Sequence, residues 1–246
     1  MNNTKDYELT ILIPVYNEKD NMERLQKEVA GYLQVCPVSV CALFVDDGST
    51  DGSLYLIREI CQNALHCYYI GLEVNKGLSA ALKAGIDVTY SRYVGYMDAD
   101  MQTDIRDFDL LLEYIPRYHL VTGIRKQRHD SYSKLIQSRI ANSFRRMLTH
   151  DGATDTGCPL KILHTDCAKR IPFFTGMHRF LPALIKLQKD GCYYEVPVRH
   201  YPRRAGVSKY HLWNRLIRPL VDCFAYRWIS SRYINYQISQ SNICID

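Results

Sequence analysis

No window of the chain approaches the roughly 18 uninterrupted apolar residues of a membrane-spanning helix. The opening residues, Met1 to Glu8, are polar and lack the basic start and apolar stretch of a secretory leader. Neither an export signal nor a spanning segment is expected. No C-x-x-C pair occurs, and the nine cysteines between Cys36 and Cys244 are odd in number. That argues against a disulfide framework and a zinc knuckle, and it fits reduced thiols in a cytosolic setting. No G-x-G-x-x-G follows the first apolar run, which removes the fingerprint of a dinucleotide-dependent dehydrogenase. Internal repeats and low-complexity segments are absent. The charge excess is small, 31 Lys and Arg against 26 Asp and Glu. It makes no case for nucleic acid, and none is expected as a partner.

What the chain does have is the means to build a core. With 246 residues, 47% of them hydrophobic and 23% charged, it suits one large domain. Short apolar runs predict strands near Leu9 to Pro14, Val38 to Asp46, Cys67 to Leu72, Tyr93 to Asp98 and His119 to Thr122. Between them, Met22 to Leu33, Ser53 to Ala64, Leu78 to Tyr90 and Phe108 to Ile115 carry apolar residues at three-to-four spacing. The alternation implies an α/β fold, a mainly parallel central sheet flanked by helices. The second half is less regular: a helix over Tyr132 to Leu148, a loop over Asp151 to Gly157, and part of a helix over Ala183 to Lys189. A strand over Cys192 to Val198 and a basic loop over Arg199 to Lys209 follow.

In open α/β sheets ligands bind beyond the carboxyl ends of the strands. Here those ends are acidic and polar: Pro14-Val15-Tyr16-Asn17-Glu18, then Asp46-Asp47-Gly48-Ser49-Thr50-Asp51, then Asp98-Ala99-Asp100-Met101-Gln102. The last of these ends a buried strand, so the period of two puts Asp98 and Asp100 on one side, and Gln102 continues the spacing. Two carboxylates and an amide oxygen suit Mg²⁺ or Mn²⁺, which leaves coordination positions for phosphates. The Asp46 to Asp51 segment is also what an ordinary strand-to-helix turn uses, with Asp51 suited to cap the helix.

Together with Asn75-Lys76-Gly77, Gly123-Ile124-Arg125, Ser138-Arg139, Asp155-Thr156-Gly157-Cys158 and Gly206-Val207-Ser208-Lys209, these motifs resemble glycosyltransferase family 2. Within it they resemble the polyprenyl-phosphate branch, which includes dolichol-phosphate mannose synthases and undecaprenyl-phosphate aminoarabinose transferases. The resemblance covers roughly Leu9 to Ile229. It implies the GT-A nucleotide-diphospho-sugar transferase fold and inverting transfer from a nucleotide-diphosphate sugar to a polyprenyl phosphate. It further implies that Pro14, Tyr16, Glu18 and Asp46 hold the nucleoside, and that Asp98, Asp100 and Gln102 hold Mg²⁺ or Mn²⁺. Arg203, Ser208 and Lys209 fall where the family closes a loop over the diphosphate. Arg125, Lys134 and Ser138 fall where it binds the acceptor phosphate. Electrostatics agrees, since several phosphate charges in one cleft need cations to offset them.

The stretch from Arg199 to Arg232 gathers Arg199, Arg203, Arg204, Lys209, Arg215, Arg218, Arg227 and Arg232 against Asp222 alone. Within it, Trp213, Leu216, Ile217, Leu220, Phe224 and Trp228 recur at helical spacing along an amphipathic stretch from His211 to Ile229. Such a stripe packs on the protein's own core or lies on anionic lipid. The expected organisation is a catalytic domain over 1–210, with an amphipathic helix and tail over 211–246 lying peripherally on the cytoplasmic face of a membrane. A separate membrane protein stays open as a further partner. Two other readings also stay open. One is transfer to a glycan hydroxyl, with Asp151 or Asp155 as the base that a hydroxyl needs. The other is a non-catalytic nucleotide-sugar-binding scaffold.

Overall fold

The computed structural model describes residues 4–125, 145–202, 212–235 and 240, with 212–219 described as backbone only. The first strand, β1, is Leu9–Val15, and β2 is Val40–Asp46. Both are nearly continuous apolar runs because both of their faces are covered, as in any buried parallel sheet. They are joined by β3 (Cys67–Gly71), β4 (Tyr93–Tyr96), β5 (Leu120–Arg125), β6 (Lys161–His164) and β7 (Tyr193–Val198). The sheet order is β3-β2-β1-β4-β6-β5-β7. Only β6 runs against its neighbours, pairing antiparallel with β4 and β5.

The period of two along β1 sorts its side chains between two cores. Leu9, Ile11, Ile13 and Val15 point to one face, where they meet α1 (Met22–Val35), α2 (Ser53–Asn63) and α4 (Phe108–Leu112). Leu12 points to the other, covered by α3 (Leu78–Asp87), α5 (Thr165–Lys169), α6 (Leu181–Leu187) and α7 (Leu212–Arg232). On α1 the buried positions are Met22, Leu25, Val29 and Tyr32, a single stripe at helical spacing.

Several elements differ from their sequence-based bounds. The strand predicted to reach Asp98 stops at Tyr96; residues 99–100 turn, and Met101 takes φ +55°. Strand alternation therefore does not place Asp98, Asp100 and Gln102. The predicted helix ending at Ile115 breaks after Leu112, and Ile115–Arg117 forms a 3-10 turn around Pro116. Strand β6 is not among the expected elements. Residues 145–149 are helical, while the rest of the predicted Tyr132 to Leu148 helix lies outside the described residues, as does most of the basic loop.

The amphipathic stretch is helical as expected. Cys223 and Tyr226 of α7 are buried in the second core, where Tyr226 stacks on Phe180 and donates to the Ala183 carbonyl at 3.3 Å. The described members of the predicted stripe face away from it: Leu220, Phe224 and Trp228 are 37%, 60% and 63% exposed. Among the described residues, no helix is long and apolar enough to cross a membrane.

Candidate active site

Strand register gathers one functional edge. Strands β1, β2 and β4 run parallel, so their carboxyl ends lie together, with Val15 opposite Asp46. Since Lys161 pairs with both Tyr96 and Thr122, the inverted β6 brings its amino end to the edge where β4 and β5 finish. Val198 ends β7 opposite Arg125 on the same side. Six strands thus contribute to one rim.

The loops after β1 and β2 are stapled to each other. Asn17 takes φ +52°, its N–H donates to Ser49 Oγ at 3.0 Å, and its side-chain oxygen accepts from the Thr50 N–H at 2.7 Å. The Glu18 N–H donates to Ser53 Oγ at 3.0 Å, and the Lys19 N–H to Asp51 Oδ2 at 3.0 Å. Asp51 also accepts from the Ser53 N–H at 2.9 Å, but it is not the expected cap: the N-cap of α2 is Gly52, at φ +95°, which leaves Asp51 one residue outside the helix boundary. Pro14, Tyr16 and Glu18 are half-buried along this seam. Gly48, at φ +68°, lies so close to Val74 and Asn75 that a Cβ there would fall 2.6 Å from their backbone.

Asp46 is fully buried; its Oδ2 accepts from the Ser49 N–H at 3.0 Å, while its Oδ1 has no hydrogen-bond partner. Asp47 is its opposite. Its carboxylate accepts from the N–H groups of Lys76 and Gly77 at 2.8 Å each, and from Asn75 Nδ2 at 2.8 Å. Burial raises the Asp47 pKa, with Asp46 adding to the effect, and the backbone donors act against both.

Beyond β4, Asp98 Oδ1 accepts from the Tyr96 hydroxyl at 2.6 Å, and Asp100 Oδ1 from the Gln102 N–H at 3.2 Å. Gln102 is held to the segment after β7: its carbonyl accepts from the Tyr201 N–H at 2.8 Å, and Thr103 bridges to His200. Among the described residues no group of three His, Cys, Asp or Glu side chains could hold a metal. Two carboxylates at this rim fit a hard divalent cation that draws its remaining ligands from phosphate and water. They do not fit a cation enclosed by protein alone.

Arg125 ends β5 in a bidentate pair with Asp155, at 2.7 Å from Nε and 2.7 Å from a terminal guanidinium nitrogen. Asp155 is itself placed by Glu195 of β7, whose Oε1 accepts from the N–H groups of Thr154 at 2.8 Å and Asp155 at 3.3 Å. Asp151 is unsuited to act as a base. It is fully buried, paired with Arg145, and accepts from the Ala153 N–H at 3.0 Å. A carboxylate so enclosed has no access to a substrate hydroxyl.

Lys134, Ser138, Arg203, Ser208 and Lys209 lie outside the described residues. Two residues that the sequence did not single out stand at the rim. Lys161 is 1% exposed and donates to the Cys158 carbonyl; burial depresses its pKa, while Cys158, Asp155 and Asp98 pull the other way. A lone lysine in the apolar run Cys158 to Leu163 was the available signal. His200 is half-buried, with Nδ1 sealed and without a hydrogen-bond partner. Its pKa is lowered, first by burial and then by Arg125, with Asp100 and Asp155 opposing. Nothing in its local sequence marks it.

A family described as glycosyl transferase family 2 matches residues 10–171. A dodecaprenyl-phosphate galacturonate synthase of Rhizobium johnstonii is 33% identical over 223 residues, covering 87% of this chain and 65% of that protein. An undecaprenyl-phosphate 4-deoxy-4-formamido-L-arabinose transferase of Edwardsiella ictaluri is 30% identical over 219 residues, covering 87% of this chain and 67% of that one. The chain thus spans about two thirds of the length of these relatives. Among solved structures, a mannosyltransferase of Pyrobaculum calidifontis in complex with GDP-Man and Mn²⁺ aligns with TM-score 0.64 and 20% identity. It covers 89% of this chain and 63% of its own. A glucosyl-3-phosphoglycerate synthase of Mycobacterium tuberculosis, in complex with Mn²⁺ and UDP-glucose, gives 0.66 and 15%, covering 91% and 78%. These likenesses show the fold, the GT-A arrangement.

Proposed function

The chain belongs to glycosyl transferase family 2, and from that premise we propose that it is an inverting transferase moving a sugar from a nucleotide-diphosphate sugar to a polyprenyl phosphate. The observation that carries this reading is the single rim on which the acids after β2 and β4 meet the clamped Arg125 after β5. The activities for which the two relatives are named, both polyprenyl-phosphate sugar transfers, support the same substrates. The Mn²⁺ of the structural neighbours supports a divalent cation, Mg²⁺ or Mn²⁺.

In this reading Pro14, Tyr16, Glu18 and Asp46 bind the nucleoside, and the buried, unpartnered Asp46 Oδ1 is the acceptor offered to it. Asp98, Asp100 and Gln102 would hold the cation, which when bound offsets charge on the departing nucleoside diphosphate. Arg203, Ser208 and Lys209 close over that diphosphate, while Arg125, Lys134 and Ser138 receive the acceptor phosphate. A phosphate is already ionised near neutral pH, so the protein's task is alignment and charge stabilisation, with no base required. The enclosure of Asp151 and the pairing of Asp155 with Arg125 favour this acceptor over a hydroxyl. The outward Phe224 and Trp228 of α7, flanked by exposed Arg227 and Arg232, suit the cytoplasmic face of an anionic membrane, where the acceptor resides.

The test is a panel of nucleotide sugars incubated with polyprenyl phosphate and Mn²⁺ or Mg²⁺, read by product mass. A glycosyl phospholipid product is expected. Transfer to a glycan hydroxyl alone would replace the acceptor, and nucleotide-sugar binding without turnover would leave a scaffold.

A further inference from the structure

His178 has no part in the scheme above, yet its imidazole is firmly placed. It sits in the 3-10 turn Met177–Phe180, half-buried, with Nδ1 2.8 Å from Ser79 Oγ. Ser79 is buried in the first turn of α3, two residues beyond Gly77, whose N–H grips Asp47. The Ser79 oxygen already accepts two backbone N–H groups, from Gly176 at 3.2 Å and from His178 at 3.3 Å. A hydroxyl has two lone pairs and one proton. With both lone pairs used, the proton goes to Nδ1, so Nδ1 accepts and Nε2 carries the ring hydrogen. Burial first, then the charges of Arg179 and Lys161, push the imidazole pKa down to about 3, which keeps the ring neutral.

The fixed tautomer leaves one outward donor. Among the described residues nothing accepts from Nε2, and that atom is not among the sealed, unpartnered ones. The residue is half-buried, so it is not wholly enclosed by the protein. Lys161 is within electrostatic reach of both His178 and Asp98, while Ser79 ties His178 to the Asp47 loop. Gly77 and Ser79 follow β3, which runs parallel to β2, so His178 stands at the strand-end edge that also carries the loop after β2 and the acids after β4. In the proposed reading, a sugar joined to the diphosphate of a nucleotide lies along that edge.

We propose that His178 is a specificity residue for the donor's sugar, its Nε2–H giving a hydrogen bond to a sugar oxygen. The proposal rests on the nucleotide-sugar reading of the rim. A donor without net charge adds nothing to diphosphate attraction, but it discriminates among sugars. A partly desolvated N–H left unpaired by the wrong sugar is costly, and this kind of contact rejects analogues most strongly.

The experiment is calorimetric titration of the full chain with UDP-glucose, UDP-galacturonate and GDP-mannose, each compared with its free nucleoside diphosphate. For whichever nucleotide sugar wild type binds, His178→Ala is expected to weaken the sugar-bearing ligand about tenfold while leaving the free diphosphate within about twofold. His178→Gln, which keeps an N–H near the Nε2 position and most of the volume, recovers part of the loss. Equal weakening of both ligands in both variants would reduce His178 to a packing role, and unchanged affinities would remove it from the site. If wild type binds none of the nucleotide sugars, the reading of the rim itself fails, independently of His178.

Discussion

Asp46 and Asp47 are adjacent in sequence and opposite in their bonding. Asp47 spends its carboxylate on Asn75, Lys76 and Gly77, and so fixes a loop; Asp46 keeps one buried oxygen unpaired. Leaving a buried acceptor unmade costs about 1–3 kcal/mol, a cost that an N–H of an incoming base removes. Asp46→Asn is therefore expected to lower nucleoside diphosphate affinity about tenfold or more without lowering Tm. Calorimetry and thermal melting check it, and a parallel loss of stability would make Asp46 a folding residue only. Lys161 poses the converse case, a buried cation whose replacement by a well-packed apolar side chain is often neutral or stabilising. Lys161→Met is expected to melt no lower than wild type at neutral pH, yet to turn over more slowly, because the rim loses a positive charge near Asp98 and Asp155. The pH dependence has a definite sign. Burial lowers the folded-state pKa, so the unfolded chain holds the proton more tightly, and the penalty on wild type is complete below the folded pKa. It fades as pH rises toward the ordinary lysine value of 10.5, so wild type gains on the variant over that window. Paired melts at neutral and alkaline pH check it; a constant gap would show that Lys161 does not titrate differently on folding.

At the scale of elements, sequence shows burial more readily than pairing. Strands β1 and β2 were legible because burial on both faces turns them into unbroken apolar runs. β4 was read two residues too long because Met97 remains fully buried after the ladder ends, so hydrophobicity outlasts the hydrogen bonds. β6 escaped notice because it is four residues long and starts with a lysine, and its antiparallel place between β4 and β5 has no local signature. Of the site, the acids after β2 and β4 were legible as motifs. The Glu195 to Asp155 to Arg125 chain was not, since Glu195 acts across 40 and more residues through backbone N–H groups. The α7 stripe was found, but its direction required the structure. Cys223 and Tyr226 anchor one side, leaving Val221, Phe224 and Trp228 outward. Phe224→Ser with Trp228→Ser is expected to reduce flotation with anionic vesicles severalfold while Tm stays within a few degrees, since little buried area is lost. Undiminished flotation would move the lipid contact elsewhere on the chain.

For the whole molecule, the decisive arrangement is that one sheet, packed on both faces, ends in a rim built from separate strand tips. The proposed nucleoside contacts belong to the ends of β1 and β2, and the proposed cation contacts to the segment after β4. Ligands bound at either tip stabilise the folded state as a unit, by about 2.7 kcal/mol at a hundred times Kd. For a chain of this length that corresponds to a rise in Tm of about 5–10 °C. The two tips should contribute separately: nucleoside diphosphate alone gives a smaller rise that survives chelation, and Mn²⁺ adds a further increment. Asp100→Asn is expected to retain the first rise and lose the second, together with metal-dependent transfer, because its carboxylate belongs to the proposed cation contacts after β4 and not to the proposed nucleoside contacts of β1 and β2. Thermal scans with and without chelator separate the increments. A full Mn²⁺ increment in Asp100→Asn would place the cation away from the Asp98 to Gln102 segment, while loss of both would mean that the two tips fold and bind as one.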